Sequence, residues 1–452
     1  MKYHTVENGL KEKSKKKIIK DYIELLKEKD KLEEEKKRLE KELKKYKNSN
    51  TPSSAHAHLK PNTFGLKAKI GARRGAPNGH LGTNRRQNPV IKEIIDADHC
   101  PGCGSSHVSD DKVLRRITEE TPVPIVPETK ETEIHIKRCD DCGLTFVPPH
   151  NKTPLKGKFG INIMVLVIFI KFLLHGVLRK TANFLESGFA FKITPASINA
   201  IIKRVADAAE KEYEELKSRI AQADRVYVDE TSFSVLGIKQ WAWVFRTAND
   251  VLLVIRPSRG SNVLLEILGE SYAGVVICDC WRAYNFLADT VLIQRCWAHL
   301  LRKSGALCDT VAGRHLHEKL MVFFDEIKTF NADDPTDRQR KLRYMRMTAR
   351  LEKLIEYYAR YDYLTEVVKY IGFNIDNCFT CVKVADVEPT NNFAEQAIRE
   401  TVMVRKIIGV FRSETGKQNY ETLASLIATW QLSNLDLKEQ LRQMLLKNLC
   451  FC

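Results

Sequence analysis

The chain has 452 residues, a net charge of +16 and twelve cysteines. That length holds two or three domains with a large core, and the excess of positive charge favours a polyanionic partner, most often nucleic acid. The N-terminus is charged and lacks an apolar core before a cleavage site, so the expected location is cytoplasmic and a disulfide framework is disfavoured.

Residues 1–47 read as a coiled coil. Ile18, Leu25, Leu32, Leu39 and Tyr46 recur at seven-residue spacing, while the second seam (Tyr22, Lys29, Lys36, Leu43) is broken by charge. One good seam points to self-association as a homodimer or higher oligomer; a lone solvated helix is the alternative. Residues 48–97 form a basic linker opened by the turn formers NSNTPSS. Between Lys60 and Ile95 lie eight Lys/Arg residues, Arg73, Arg74, Arg85 and Arg86 among them, and a single acid, Glu93. Such a segment cannot bury enough apolar surface to fold alone, but it can order along phosphates.

Residues 98–150 carry two CxxCG knuckles, Cys100/Cys103 and Cys139/Cys142, separated by β-rich runs. Paired knuckles of this spacing predict a zinc ribbon holding one structural Zn²⁺ on four thiolates. His99 and His107 are close enough to be alternative ligands.

Residues 151–222 read as helical. The stretch 161–174 (INIMVLVIFIKFLL) includes Asn162 and Lys171 and is too short to span a bilayer. A buried core helix is expected there, and no membrane partner. HGVLRKTANFLE, a turn, and PASINAIIKRVADAAEKEYEEL form a candidate helix-turn-helix, with Thr194 as N-cap and Pro195 at the first helical position. Plain helical packing is the alternative.

From residue 223 the pattern turns to strands: RVYVDET, QWAWVFRT, VLLVIRP, then a helix at SNVLLEILGE, then GVVICDC and TVLIQRC. Three strands, helix, strand, helix, strand is the pattern of an RNase H-like α/β core, whose first part is placed at 223–300. Residues 301–386 read as an all-helical insertion. The core resumes at 387–432 with PTNNFAEQAIR opening a helix, and 433–452 is a closing helix. The chain is therefore expected to be a multidomain α+β protein.

Asp229 and Asp279 each end a β-branched apolar run, and Glu395 lies near a helix start. Three such carboxylates can clamp a pair of Mg²⁺ (or Mn²⁺) ions for phosphoryl transfer, with Asp229 bridging. Any one of them alone is weak, since an acid after a strand is a common turn former. Glu230 is expected on the opposite face of its strand. Cys296 and His299 after the fifth strand are read as active-site support, with a buried thiol and a core histidine as the plainer reading. Cys378 and Cys381 lack a following Gly and a partner pair, so they are read as structural. GVFRSETGK is not a phosphate loop: Gln418 follows Lys417 where Ser or Thr is required. Arg405, Lys406, Arg412 and Lys417 form instead a basic run suited to a DNA backbone.

These motifs, NTPSS, RRGAPNGHLG, CPGCG, CDDCG, VDET, CDCWRAYN, RCWAHLLRK, PTNNFAEQAIR, FRSETG and SLIATWQL, stand in one order along nearly the whole chain. In that order the chain resembles the insertion sequence sixty-six family of prokaryotic DDE transposases. The resemblance implies a nucleoid-associated enzyme that binds double-stranded DNA, both element ends and target, and acts by Mg²⁺-dependent cleavage and 3′-OH strand transfer. It makes Asp229, Asp279 and Glu395 the catalytic triad, likens Cys296 and His299 to a signature of DDE enzymes with helical insertions, and allows accessory proteins of the same element. Two rival functions are a non-enzymatic zinc-dependent DNA-binding relic and an RNase H-fold nuclease without strand transfer.

Overall fold

The computed structural model describes residues 157–281, 283–284, 291–373 and 375–450, with scattered positions before 157. The chain divides into two compact units, Met1–Glu120 and Thr121–Cys452. In the first unit, the described positions between 22 and 36 are helical and exposed, Leu25 and Leu32 included. The basic run with Arg73, Arg74, Arg85 and Arg86, and the rest of the heptad seam, lie outside the described residues. So do Cys100, Cys139 and Cys142; Cys103 is exposed. In the second unit, β1 (Lys137–Arg138) and β2 (Thr145–Phe146) pair antiparallel, so the second CxxC falls in the connection between them.

The apolar stretch forms α1 (Ile161–Ile168), which runs into one π-helical turn, Phe169–Leu173. Met164, Val165, Val167, Ile168 and Ile170 are buried, as a core helix requires. Among the described residues no helix is long and apolar enough to cross a membrane. Next come α2 (Leu178–Phe189), α3 (Pro195–Ala208) and α4 (Glu210–Ala221). Thr194 caps α3 as expected, its hydroxyl accepting the Ser197 N–H at 3.1 Å. The long helix expected from Pro195 is two helices, broken at Ala209, where φ and ψ reach −93° and 0°.

The sheet contains β3 (Arg225–Val235), β4 (Ile238–Arg246), β5 (Val251–Arg256), β6 (Val275–Cys278) and β7 (Leu292–Arg295), with α5 (Ser261–Leu268) between β5 and β6. Strand order is β5-β4-β3-β6-β7. The first three strands meander antiparallel, and β3–β6 and β6–β7 are parallel. Leu236 and Gly237 turn β3 into β4 with φ of 53° and 79°, the left-handed pair of a tight hairpin turn. Of the helix expected between the fourth and fifth strands, only a short turn at Ala283–Tyr284 falls within the described residues.

The expected helical insertion follows as α6 (Trp297–Gly305), α7 (Val311–Ala332), α8 (Asp337–Tyr358), α9 (Thr365–Gly372) and α10 (Thr380–Lys383). The core resumes with α11 (Asn392–Ile408), α12 (Glu414–Leu432) and α13 (Leu437–Leu449). Strand alternation sends Val226, Val228, Trp243 and Phe245 into one core with α1–α5 and α13. Tyr227, Val275 and Ile277 enter a second core with the insertion, while Phe233, Val235 and Val244 pack under α11.

Strand β5 is a sheet edge, and its outward N–H groups need partners. Helix α12 supplies them. The N–H groups of Val251, Leu253 and Ile255 donate to Thr429 Oγ1, Ser425 Oγ and Glu421 Oε1 at 3.0, 2.8 and 2.8 Å. Two residues of strand advance about 6.8 Å and four residues of helix about 6 Å, so an i, i+4 row of polar side chains matches the spacing. Ser425→Ala is expected to lower unfolding stability by about 1–3 kcal/mol, because it leaves the Leu253 N–H buried and unpaired. Urea unfolding of the variant checks this against the exposed control Gln443→Ala; equal stability of the two contradicts the edge-capping role.

Candidate active site

The parallel half of β3 brings two acids level. Arg225, Val226 and Tyr227 pair with Val275, Val276 and Ile277. Two residues further along both strands are Asp229 and Asp279, on the same face. Asp279 stands just past the last residue of β6, as expected, and its Oδ1 accepts the Trp281 N–H at 2.8 Å. Asp229 does not end its strand: it is the fifth residue of an eleven-residue strand whose second half continues as the hairpin with β4. The β-branched run ends at Asp229 because the parallel pairing ends there, not the strand.

Glu395 lies in the first turn of α11, where the helix dipole favours a negative charge. Helix α11 is fastened to β3 along its length. Asn391, fully buried at its N-cap, donates from Nδ2 to the Val228 carbonyl at 2.7 Å, and its backbone N–H donates to Cys296 Sγ at 3.2 Å. Arg246 donates to the Phe393 carbonyl at 2.9 Å, and the Tyr227 and Phe393 rings meet edge to face. Toward the far end, Arg405 donates to the Thr231 hydroxyl at 2.9 Å and to the Ser232 carbonyl. Beyond α11, the Leu236 N–H donates to the Phe411 carbonyl at 2.7 Å and the Phe411 N–H to the Ser234 carbonyl at 3.0 Å, joining the hairpin to the α11–α12 connection.

The electrostatics register other acids around Asp229. The Asp229 carboxyl is pushed from an ordinary value of 3.8 up to about 8, first by burial, then by the charges of Glu230 and Asp279, with Glu395 adding to it. Its own Oδ1 accepts the Glu230 N–H, which opposes the shift. Glu230 faces away, as strand alternation predicts. Its carboxylate accepts from the Tyr284 hydroxyl at 2.6 Å and pairs with Arg259 at 2.7 Å. The Arg259 guanidinium is itself stacked between the Trp241 and Trp281 rings.

Cys296 and His299 sit at the start of α6, beside Glu395. His299 Nδ1 lies 3.6 Å from Glu395 Oε1, too long for a hydrogen bond. Burial favours the neutral imidazole of His299, against the pull of Glu395. Cys296 accepts no side-chain donor but receives the Asn391 N–H, and its own N–H donates to the Cys278 carbonyl at 2.9 Å. Cys378 and Cys381 are buried; the Cys378 carbonyl accepts from Trp297 Nε1 at 2.6 Å, consistent with their structural reading.

The basic run divides in two. Arg405 is spent on β3, and Lys417 is buried and paired with Glu414 at 2.5 Å. Lys406 and Arg412 point outward. Residues that sequence reasoning passed over are Asn391, Arg259 and Tyr284. Asn391 had a signal in PTNN, but only the fold shows a buried amide spanning two elements.

Asp229, Asp279 and Glu395 offer only oxygen donors, the type a hard divalent cation such as Mg²⁺ takes, and a cation beside Asp229 would relieve the repulsion. Among the described residues, however, the group whose ligand atoms all lie within 4.8 Å of one another is Cys296, His299 and Glu395. Without metal, the unfolded chain releases the Asp229 proton near pH 4 and the folded chain near pH 8, so folding stability falls as pH rises across that window. Asp229→Asn is therefore expected to melt higher than the parent chain in metal-free buffer, by a margin that grows from about pH 4 to pH 8 and then levels. Scanning calorimetry at stepped pH checks it; a margin independent of pH contradicts the shared acidic centre.

The family profile described as "Transposase IS66 family" matches residues 156–419, more than half of the chain. Two similar proteins come from Sinorhizobium fredii (strain NBRC 101917 / NGR234), each called an uncharacterized protein. The one named y4qI is 23% identical over 267 residues, covering 50% of this chain and 48% of that protein. The one named y4hP is 22% identical over 405 residues, covering 80% of this chain and 72% of that protein.

Proposed function

This chain belongs to the IS66 family of transposases, and from that premise we propose that it cleaves the ends of a DNA element and joins the freed 3′-OH to target DNA through Asp229, Asp279 and Glu395. The family implies DNA binding and a divalent metal. The observation that carries the finer reading is the raised Asp229 carboxyl, which feels both Asp279 and Glu395 although the three are far apart in sequence. A relic that only bound DNA would have no use for three acids held against their mutual repulsion.

When bound there, a pair of Mg²⁺ or Mn²⁺ ions supplies activation of the attacking water or 3′-OH and stabilisation of the leaving oxygen. The chain's own residues provide the rest. Asp229, central on β3, is the carboxylate placed to serve both neighbours. Asp279 and Glu395 flank it from β6 and α11. Arg259 and Tyr284 hold the Glu230 carboxylate on the other face of β3, so that carboxylate acts on Asp229 only through its charge. Lys406 and Arg412 are the outward cations placed to take DNA phosphates. The heptad seam is assigned to self-association, and the two CxxCG pairs to zinc binding.

Asp229→Asn and Glu395→Gln are each expected to abolish Mg²⁺-dependent nicking of end-bearing DNA while leaving DNA binding within about twofold, as expected where a group acts on the transition state and not on binding. Gel assays of nicking and binding on the same preparations check it, and full nicking by either variant overturns the triad. A pre-nicked 3′-OH end should be joined to target DNA by the parent chain; hydrolysis without joined product identifies a nuclease.

A further inference from the structure

Next to the acidic centre lies a second set of donors of different chemistry. Cys296 and His299 stand one turn apart at the start of α6, and Glu395 faces them from α11. The Cys296 sulfur, a ring nitrogen of His299 and a Glu395 oxygen all lie within 4.8 Å of one another. The Cys296 thiol is fully buried and its sulfur accepts the Asn391 N–H. His299 Nδ1 and Glu395 Oε1 are buried atoms without a hydrogen-bond partner, turned toward each other across 3.6 Å. Two desolvated polar atoms facing across such a gap are costly unless something is bound between them.

Sulfur and imidazole nitrogen are poor ligands for Mg²⁺ and good ones for Zn²⁺ and its chemical relatives. We propose that Cys296, His299 and Glu395 form a binding site for a thiophilic divalent cation of the Zn²⁺ class, distinct in chemistry from the carboxylate centre but sharing Glu395 with it. A dication on one thiolate, one carboxylate and one neutral imidazole forms a site of zero net charge, which a partly buried position tolerates well. Binding replaces the thiol proton: Cys–SH and M²⁺ become a sulfur–metal bond, and one proton leaves to solvent. Three protein ligands leave the fourth tetrahedral position open.

The site ties an inhibitory input to the reaction, and this consequence rests on Glu395 belonging to the triad. A thiophilic ion held by Cys296 and His299 draws the Glu395 carboxylate to its own side and withdraws it from Asp229 and Asp279. The binding itself does not depend on that reading.

The test uses the full-length chain, stripped of metal and titrated with Co²⁺ as a spectroscopic stand-in for Zn²⁺. Parent, Cys296→Ser, His299→Gln and Asp279→Asn proteins are compared, with circular dichroism and thermal unfolding to verify folding. The difference between parent and variant reads this site alone, whatever the CxxCG knuckles bind. Cys296→Ser and His299→Gln are each expected to bind one Co²⁺ fewer per chain, with Cys296→Ser losing part of the thiolate-to-cobalt absorption and Asp279→Asn keeping that absorption in full. Equal binding by the parent and both Cys296 and His299 variants overturns the site. Loss of the same part of the thiolate absorption in Asp279→Asn also overturns it, because the ion then depends on the carboxylate centre. Should nicking survive in Glu395→Gln while cobalt binding behaves as expected, the triad reading fails and this site stands.

Discussion

Like charges do not gather unless a scaffold forces them to, and the constraint on this fold is the repulsion it holds around Asp229. Asp279 stands just past the end of the neighbouring strand, Glu230 is next to it in sequence, and Glu395, on α11, adds its charge. Burial strengthens every term in that repulsion by removing the water that would screen it. The Asp229 carboxyl answers by holding its proton up to about pH 8. A cation beside Asp229 would relieve that repulsion, the electrostatic condition that a metal-dependent phosphoryl-transfer site requires.

The surroundings are stiff where they need to be. Asn391 gives one amide to β3 and its backbone N–H to Cys296, so a single buried residue links the central strand, the start of α6 and the helix that carries Glu395. Arg246 and Arg405 hold α11 to the hairpin farther along. On the opposite side of the sheet, the α12 row of Glu421, Ser425 and Thr429 closes the β5 edge against other strands. Glu230, whose charge already adds to the repulsion, is held buried on the other face of β3 by Tyr284 and Arg259. Each of these contacts spends a polar group on geometry, and together they fix β3, the start of α6 and the helix that carries Glu395 against one another.

Much of this was legible in the sequence. The alternation of VYVDET and WAWVF announced strands, Thr194-Pro195 announced a helix start, and the charged run from 301 announced a helical insertion. The three acids were legible only as a set. What escaped is what depends on long-range pairing. Nothing local says that β3 runs on past Asp229, because its second half is defined by β4 and not by its own residues. The break at Ala209 interrupts a sequence with strong helix formers on both sides. Arg405 and Lys417 read as surface cations because sequence position carries no burial, yet both are spent inside the fold. Glu421, Ser425 and Thr429 looked like ordinary helix residues, since their partners are backbone groups about 170 positions upstream. The spacing of Cys296 and His299 was visible, but not that Glu395 completes their group.

The central claim is that Asp229, Asp279 and Glu395 hold divalent metal together. Affinity cleavage tests it most directly. With Fe²⁺ in place of Mg²⁺ and a source of reducing equivalents, hydroxyl radicals cut the backbone beside the bound ion. The account predicts cuts next to all three residues, mapped by mass spectrometry of the fragments, and their disappearance in excess Mg²⁺. Cuts confined to other parts of the chain, or cuts that Mg²⁺ leaves unchanged, would contradict it.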